Sequence, residues 1–279
     1  MKRINRVCLL LLICFLGVLL SGCGSKYKAA TDEIINSEKK LFEQKVTSVK
    51  YLGWIKNESK EAYNTRKEQY KKEMTALKAE EMKILATIEG HNARFNEIKA
   101  LAKEEKISEN DVNSFINSVK QARVDWVKKI SFERLQGDTI KGVGSGSTWE
   151  EVQIVFGKPI ESQSNRGMMR YKYDGLEFYD GSSKGAPLPG QKWESYGPSI
   201  WEMTNPIYVT DGGAQIGMSL RDVSSTLAKN GSFAVNYAAN DIMCFEYALH
   251  NAQGKSTNKY PVFAFITNYK LSKYAVSPH

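Results

Sequence analysis

The residues that first suggest chemistry are the closely spaced glycines Gly142 and Gly144, in the run GVGSGST. A glycine-rich loop can wrap a phosphate group, because its backbone N–H groups approach the ligand without side chains in the way. A dinucleotide-binding loop requires G-x-G-x-x-G, but Ser147 stands at the third glycine position and the preceding segment has a helical pattern. A mononucleotide-binding loop ends in Gly-Lys-Ser/Thr, and the nearest Gly-Lys pair is followed by Pro159. Spacing and context therefore both exclude phosphate binding by this run.

The titratable residues do not form a catalytic or metal-binding pattern. His91 occupies an apolar helix position, and the residues three and four positions away include no carboxylate, cysteine or histidine. We interpret His91 as a packed side chain, since a metal or pH role would need partners on the same face. His250 has no serine or cysteine nucleophile motif near it, and His279 is isolated. We expect no metal site and no enzyme activity, with a cell-wall hydrolase as the remaining enzymatic alternative.

The first 22 residues have the layout of an export signal. Three basic residues precede an apolar run over residues 7–20, which is too short for a committed membrane-spanning helix. The run ends in LSGC, which resembles the bacterial lipobox. The resemblance implies cleavage before Cys23 and attachment of a diacylglycerol to its sulfur, and two acyl chains on one residue make a stable anchor. An ordinary signal peptide with an incidental cysteine and a single N-terminal membrane anchor are the alternatives.

Charge and cysteine content agree with an exported chain. The 279 residues carry a formal charge of +8, of which the signal supplies three, and no basic block stands out. Nucleic acid is therefore not an expected partner. Cys8 and Cys14 lie in the signal and Cys23 would carry lipid, so Cys244 has no internal disulfide partner and is expected to be buried. The expected location is extracytoplasmic, on the outer leaflet of the plasma membrane or on an outer membrane.

Residues 23–137 predict a helical coiled-coil arm. This part is dense in lysine and glutamate, and all seven prolines of the chain lie at or after Pro159. Apolar residues recur every seven positions over about 40 residues, which is a heptad seam. Its two rows are Tyr63, Tyr70, Leu77, Ile84, His91 and Ile98, and then Met74, Ile88, Phe95 and Ala102, with Lys67 and Glu81 interrupting the second. We expect an earlier helix over residues 29 to about 56, a third helix from Ser108, and an antiparallel hairpin or thin bundle.

A duplicated pattern organises the chain after residue 137. GSTWEEVQIVFG, which begins at Gly146, aligns with GMSLRDVSSTLA, which begins at Gly217. Thr148 and Ser219 are predicted helix N-caps, and the acidic residue three positions after each completes a capping box or its near relative. We therefore interpret the glycines of the opening run as a flexible hinge between the arm and the first copy.

Each predicted short helix precedes residues that alternate as strands do. The run after the first helix turns at Asp174-Gly175, a dipeptide typical of β-hairpins, and RYKY and CFEY occupy equivalent places in the two copies. The expected fold class is α+β, with the helical arm followed by two tandem repeats of a helix plus an antiparallel sheet. The first repeat, with an aromatic linker, is expected over residues 138–206 and the second over residues 207–279.

These repeats resemble two groups of exported proteins. The run G-x-[ST]-x-x-x-V followed by an aromatic hairpin is similar to the SmpA/OmlA-type lipoproteins of the β-barrel assembly machine, and the tandem duplication is similar to the β-lactamase inhibitory protein. The resemblance covers roughly residues 140–274 through short motifs. It implies helices packed on an antiparallel sheet, in folds that serve binding rather than catalysis.

The linker between the repeats contains three aromatic residues among prolines and glycines, namely Trp193, Tyr196 and Trp201. Such residues are enriched where binding energy is concentrated, so they are candidate binding residues, although they could instead pack the linker onto the sheets. We expect an envelope lipoprotein that acts as a protein-interaction or scaffold module, with an envelope protein as partner. A cell-wall, glycan or small-ligand binding lipoprotein is the alternative. No cofactor is expected apart from the diacylglycerol on Cys23.

Overall fold

The structure is a computed structural model that describes residues 25–53, 55, 57–165, 168–180, 195–229, 235–239, 242–250 and 256–277. Of the residues predicted to act in binding or anchoring, Tyr196 and Trp201 lie within these ranges, whereas Cys23 and Trp193 lie outside them. Across this described part of the chain, no helix combines the length and the apolar character that a membrane crossing requires.

Three helices form the N-terminal arm. They are α1 (Lys26–Glu43), α2 (Lys60–Glu104) and α3 (Glu109–Ser131). Each begins after a serine whose hydroxyl accepts a backbone hydrogen bond, and the N-cap predicted at Ser108 is confirmed. Helix α2 has 45 residues and is therefore about 67 Å long. The chain reverses after α2 at Lys106, whose φ is 58°, so that α3 runs antiparallel to α2.

The heptad seam of α2 is buried against the other two helices, as its spacing predicts. The buried residues of the seam are Met74, Leu77, Glu81, Ile84, Ile88, His91, Phe95, Ile98 and Ala102. Glu81 is 0% exposed, although its charge marked it as an interruption of the second row. The second row is therefore buried without interruption from Met74 to Ala102, and it places the carboxyl group of Glu81 in the interior.

Helix α1 is shorter than the sequence pattern predicts. It ends at Glu43 rather than near residue 56, and the chain continues to residue 53 without helix. The run VTSV, from Val46 to Val49, contains three β-branched residues, which favour an extended backbone. Val49 is buried against α2, and Thr47 N donates a hydrogen bond of 2.6 Å to Glu80 Oε2. The apolar positions after residue 43 are therefore used, but by an extended segment that lies along α2.

The duplicated pattern corresponds to two copies of a helix followed by four strands, and in the first copy a hairpin precedes the helix. The first copy contains a hairpin of β1 (Gln136–Ile140) and β2 (Val143–Ser145), helix α4 (Trp149–Phe156), and strands β3 (Glu161–Asn165), β4 (Met168–Tyr173), β5 (Leu176–Tyr179) and β6 (Ile200–Met203). The second contains helix α5 (Leu220–Ala228) and strands β7 (Val235–Ala239), β8 (Ile242–His250), β9 (Ser256–Thr267) and β10 (Lys270–Val276). Both predicted N-caps are confirmed, with a complete capping box at Thr148 and Glu151.

Strands β3 to β10 form one antiparallel sheet in the order β3-β4-β5-β6-β10-β9-β8-β7. The last strands of the two copies, β6 and β10, pair in the middle of this sheet, with Trp201 opposite Val276. The order on one side of this pair repeats on the other, so the duplication in sequence appears as an internal two-fold relation. The structure thus has the predicted α+β class, and the two repeats share a single sheet.

The glycine run is packed rather than flexible, so its interpretation as a hinge is wrong. Strand β2 is buried throughout, and a Cβ added at Gly142 would lie 2.2 Å from Lys128 Cγ. A Cβ added at Gly146 would lie 2.2 Å from the carbonyl oxygen of Arg134, and the φ of Gly146 is 93°. These glycines allow the first repeat to approach α3 closely. One hydrophobic core accordingly runs from Ile84 and Trp126 of the arm into the sheet.

Candidate functional site

The described part of the aromatic linker forms hydrogen bonds with the first residue of α4. Trp149 N donates to the carbonyl oxygen of Tyr196 at 3.2 Å, and Trp149 Nε1 donates to Ser195 Oγ at 3.0 Å. The linker passes so close to the capping loop that a Cβ at Gly197 would lie 1.6 Å from the carbonyl oxygen of Ser147. These contacts fix the backbone of the linker where it faces α2.

Tyr196 lies against the long helix and forms one wall of a groove. Its half-buried ring packs beside Tyr70 on the small core of Val49, Met74 and Leu77. The groove has a volume of about 460 Å³ and is lined by Tyr196 and by α2 side chains between Glu68 and Ala79. The α2 side chains include Lys71, Lys72, Thr75 and Ala76, so the wall combines charge with small residues. We refer to this surface as the Tyr196 groove.

Trp201 lies in the core, away from the Tyr196 groove. It is 0% exposed, its Nε1 donates to the carbonyl oxygen of Asp138 at 3.1 Å, and its ring centroid is 5.6 Å from that of Tyr274. Burial leaves Trp201 no surface for a partner. Of the two interpretations of this residue, packing of the linker onto the sheet is the one that the structure supports. The predicted aromatic set is therefore divided, with Tyr196 at a surface and Trp201 inside.

Two aspartates tie the hairpin of the first repeat to the corresponding turn of the second. The carboxylate of Asp138 accepts hydrogen bonds from Thr139 N at 2.8 Å and from Gly212 N at 2.9 Å. Asp211 belongs to the second repeat, and its carboxylate accepts hydrogen bonds from two groups of the first repeat. These are Thr139 Oγ1 at 2.7 Å and Gly142 N at 2.6 Å. Burial raises the pKa of Asp138 despite these donors. These two carboxylates therefore join the repeats.

A cluster of buried charged groups connects α2 to α4. Thr148 Oγ1 donates to Glu81 Oε2 at 2.5 Å, and the same hydroxyl accepts from Glu151 N at 3.1 Å. Glu151 completes the capping box through Thr148 N at 2.9 Å and forms an ion pair with Arg134, which is 1% exposed. We call Glu81, Arg134, Thr148 and Glu151 the junction cluster, because it links the seam of the arm to the first repeat.

Two carboxyl groups at this junction have pKa values that burial raises. Burial, together with the neighbouring charge of Glu151, raises the pKa of Glu81 well above its usual value. Burial also raises the pKa of Glu150, whose nearest cation is Lys78 at 4.0 Å. Glu81 Oε1 and Glu150 Oε2 have no hydrogen-bond partner among the described residues. A protonated Glu81 carries no charge, which lowers the free-energy cost of burying an oxygen that has no partner among the described residues.

The arm contains a second buried polar group that sequence reasoning missed. His91 Nδ1 lies 3.0 Å from Glu38 Oε1, and Arg123 Nε donates to both carboxylate oxygens of Glu38 at 3.0 and 3.1 Å. The partner of His91 comes from α1, 53 positions earlier, so a search along α2 alone could not find it. A signal was available, because Glu38 and Arg123 also interrupt the apolar faces of their helices.

Comparison with known proteins does not assign this chain to a family. No family model matches it, and no curated protein matches it. One solved structure is similar over 52% of this chain, at 10% identity and a TM-score of 0.30. It is the crystal structure of an extracellular protein containing a SCP domain from Bacillus anthracis str. Ames, and the match spans 47% of that protein. A likeness of this size carries no argument about fold or function.

The described residues place the buried carboxylates in structural contacts and the Tyr196 groove at the surface. The junction cluster is enclosed, and its carboxylates are engaged with a capping box and an arginine. No group of three or more histidine, cysteine, aspartate or glutamate side chains within the described ranges could hold a metal ion. The Tyr196 groove combines an aromatic ring, two lysines and a rigid backbone, which is the composition of a contact surface.

Proposed function

We propose that this protein is a membrane-anchored lipoprotein of the cell envelope that binds another envelope protein through the Tyr196 groove. The anchor is the diacylglycerol on Cys23, and the protein faces the extracytoplasmic side. The observation that carries the proposal is the groove itself, because residues from the arm and from the linker form it together. Its function is to present a contact surface at a fixed position above the membrane.

The packing around the groove supports this proposal. Tyr196 is held by its backbone bond to Trp149 and by contact with the core around Met74, so little side-chain freedom is lost when a partner binds. Ala76 and Ala79 leave space on the helix surface beside it, while Lys71 and Lys72 supply charge at the edge. A central aromatic ring with a polar rim is the usual arrangement of a protein-binding surface.

The first experiment tests the groove by photo-crosslinking in native membranes. A photoreactive amino acid replaces Ala76, and the matched control replaces Ala93, an exposed alanine on the same helix about 25 Å further along its axis. We expect a discrete crosslinked protein from position 76 that is absent at position 93 and lost on Tyr196→Ala. Equal crosslinking at both positions would contradict the groove as the contact surface.

A parallel binding assay separates a protein partner from a glycan partner. Purified wild-type protein and the Tyr196→Ala variant are incubated with isolated cell-wall glycan. Binding of the wild type that Tyr196→Ala abolishes, together with no protein crosslink at position 76, would replace the proposal by a glycan-binding function.

The anchor is tested separately by metabolic labelling with a radioactive fatty acid. The wild type should incorporate label and fractionate with membranes, and Cys23→Ala should do neither. Labelling that persists in Cys23→Ala would refute the anchor but would leave the groove untouched.

A further inference from the structure

The end of the arm nearest to Cys23 is a built feature rather than a loose terminus. Ser25 Oγ donates to Glu105 Oε2, and Tyr27 N donates to Glu105 Oε1 at 3.1 Å. Tyr27 and Ile107 pack on the last hydrophobic cluster of the bundle. The start of α1 is therefore bound to the turn between α2 and α3. We call Ser25–Tyr27 together with residues 105–110 the bundle tip.

Chain geometry restricts how far the bundle tip can be from a lipid on Cys23. Cys23 precedes Ser25 by two residues, and two residues of extended chain span about 7 Å at most. The acyl chains of a lipidated cysteine lie in the hydrocarbon layer, so its backbone lies at the bilayer surface. Ser25, and with it the Glu105 turn, is then held within about 7 Å of that surface.

We propose that the bundle tip is a membrane-contacting surface and that the arm stands on it, with the Tyr196 groove held away from the bilayer. This proposal rests on the lipid anchor of the proposed function. The occupant of the surface is a lipid bilayer, and the turn of residues 105–110 is the part of the arm that touches its headgroups.

The length of the helices sets the height of the groove. Ala76 lies about 42 Å along the axis of α2 from Glu104, at 1.5 Å per residue. The junction cluster begins at Glu81, about 35 Å from the same end, and α3 covers a similar distance with its 23 residues before the repeats begin. The lengths measured along α2 and along α3 therefore both place the first repeat about 35 Å above the bundle tip, and the groove lies slightly higher.

The outward faces of the arm favour an upright orientation over a flat one. An amphipathic helix that lies in a bilayer surface needs an apolar face, but the apolar seam of α2 is buried against α1, α3 and α4. Exposed positions of α2 carry lysine and glutamate in mixture, and Met82 is the large exposed apolar side chain that the helix shows among the described residues. The exposed face of α2 therefore has no apolar stripe of the kind that a flat orientation needs.

The proposal is tested with a ladder of three fluorescent labels on the lipidated full-length protein. Single cysteines replace Asn110, Ala93 or Ala76, which are exposed helical positions at increasing distance from the bundle tip, and Cys244 is buried and protected from labelling. Each protein is reconstituted in vesicles of phosphatidylcholine and phosphatidylglycerol that contain a headgroup-linked nitroxide quencher. We expect strong loss of emission at position 110, weaker loss at 93, and none at 76.

The results separate this proposal from the anchor on which it rests. Vesicle flotation of the wild type and of Cys23→Ala reports the anchor alone, and failure to float would refute both. A protein that floats but shows equal quenching at all three positions lies flat, and one that shows no quenching at position 110 has its tip away from lipid. Either pattern overturns the proposal while the anchor stands.

Two single variants, each of which removes one glutamate, test whether the Glu105 contact holds the bundle tip at the membrane surface. Glu105→Ala removes the acceptor of Ser25 and Tyr27, so the flotation should be unchanged while quenching at position 110 falls. Glu104→Ala is the matched control, because this neighbouring acid is exposed and should leave quenching as in the wild type. Full quenching in Glu105→Ala would show that the contact does not orient the arm.

Discussion

Replacement of Glu81 by glutamine tests the protonated state of the junction cluster. Glu81 is 0% exposed and one oxygen of its carboxyl group accepts from Thr148, while the other has no partner among the described residues. Burial and the adjacent Glu151 raise its pKa in the folded protein. A glutamine has nearly the same shape and is uncharged, like the protonated acid, and its amide oxygen can still accept from Thr148. Glu81→Gln should therefore fold normally.

The expected magnitude follows from proton linkage. In the unfolded chain Glu81 loses its proton near its ordinary pKa of 4.5, whereas the folded protein holds that proton to higher pH. Between these two pKa values the folded state binds one more proton than the unfolded state. The free energy of unfolding then falls with rising pH by up to about 1.4 kcal/mol per pH unit, and becomes constant above the folded pKa. Glu81→Gln removes this loss, so the variant should be more stable than the wild type at neutral pH.

The assay is urea-induced unfolding of the wild type and Glu81→Gln from about pH 4.5 to pH 8. The difference between the two curves isolates Glu81 from other buried acids such as Asp138. Glu89→Gln is the control, because Glu89 is an exposed glutamate on the same helix. Parallel curves for the wild type and Glu81→Gln would refute a protonated Glu81. A loss of about 3 kcal/mol or more at neutral pH would show instead that an ionised Glu81 stabilises Arg134.

The other predictions concern packing and the buried charges of the arm. Trp201→Ala should lower the free energy of unfolding by about 3–5 kcal/mol, whereas Tyr269→Ala, at a residue that is 86% exposed, should change it by about 0.5 kcal/mol or less in urea unfolding. Gly197→Ala should cost about 1–3 kcal/mol by the same measurement, because a Cβ has no space; an unchanged midpoint would contradict this packing. Arg123→Met should cost about 3–5 kcal/mol in urea unfolding by removing the guanidinium that pairs with the buried carboxylate of Glu38, and adding Glu38→Gln should recover part of the loss.

The features that could be predicted from the sequence are those that neighbouring residues determine. Helix N-caps depend on a hydroxyl and on backbone N–H groups three positions away, so Ser108, Thr148 and Ser219 could be identified from short patterns. The seam of α2 depends on a repeat of seven, and the Asp174-Gly175 turn on a dipeptide. The duplication is likewise visible in the sequence as two matching runs, and these predict the equivalent short helices α4 and α5.

The features that could not be predicted depend on contacts between distant segments. Pairing of β6 with β10 joins the two repeats into one sheet, and nothing in either strand selects this partner over another edge. Helix α1 ends early because Val49 and Thr47 gain contacts with α2, which outweigh the local helical pattern. The composition of the linker allows Trp201 either to bind a partner or to pack on the sheet, and the fold decides for packing because it buries this side chain.

The junction cluster also explains why the arm and the first repeat have one relative position. A carboxyl group in a heptad seam weakens a coiled coil, since an apolar side chain there would be buried at no electrostatic cost. Glu81 is nevertheless accommodated, because Thr148 and the capping box of α4 meet it at one register along α2. A shift of α4 by one helical turn would place Thr148 against an apolar residue and would leave Glu81 buried without its donor. The acid therefore opposes sliding of α4 along α2 in a way that an apolar seam residue would not, and it adds a polar register contact to the shared hydrophobic core.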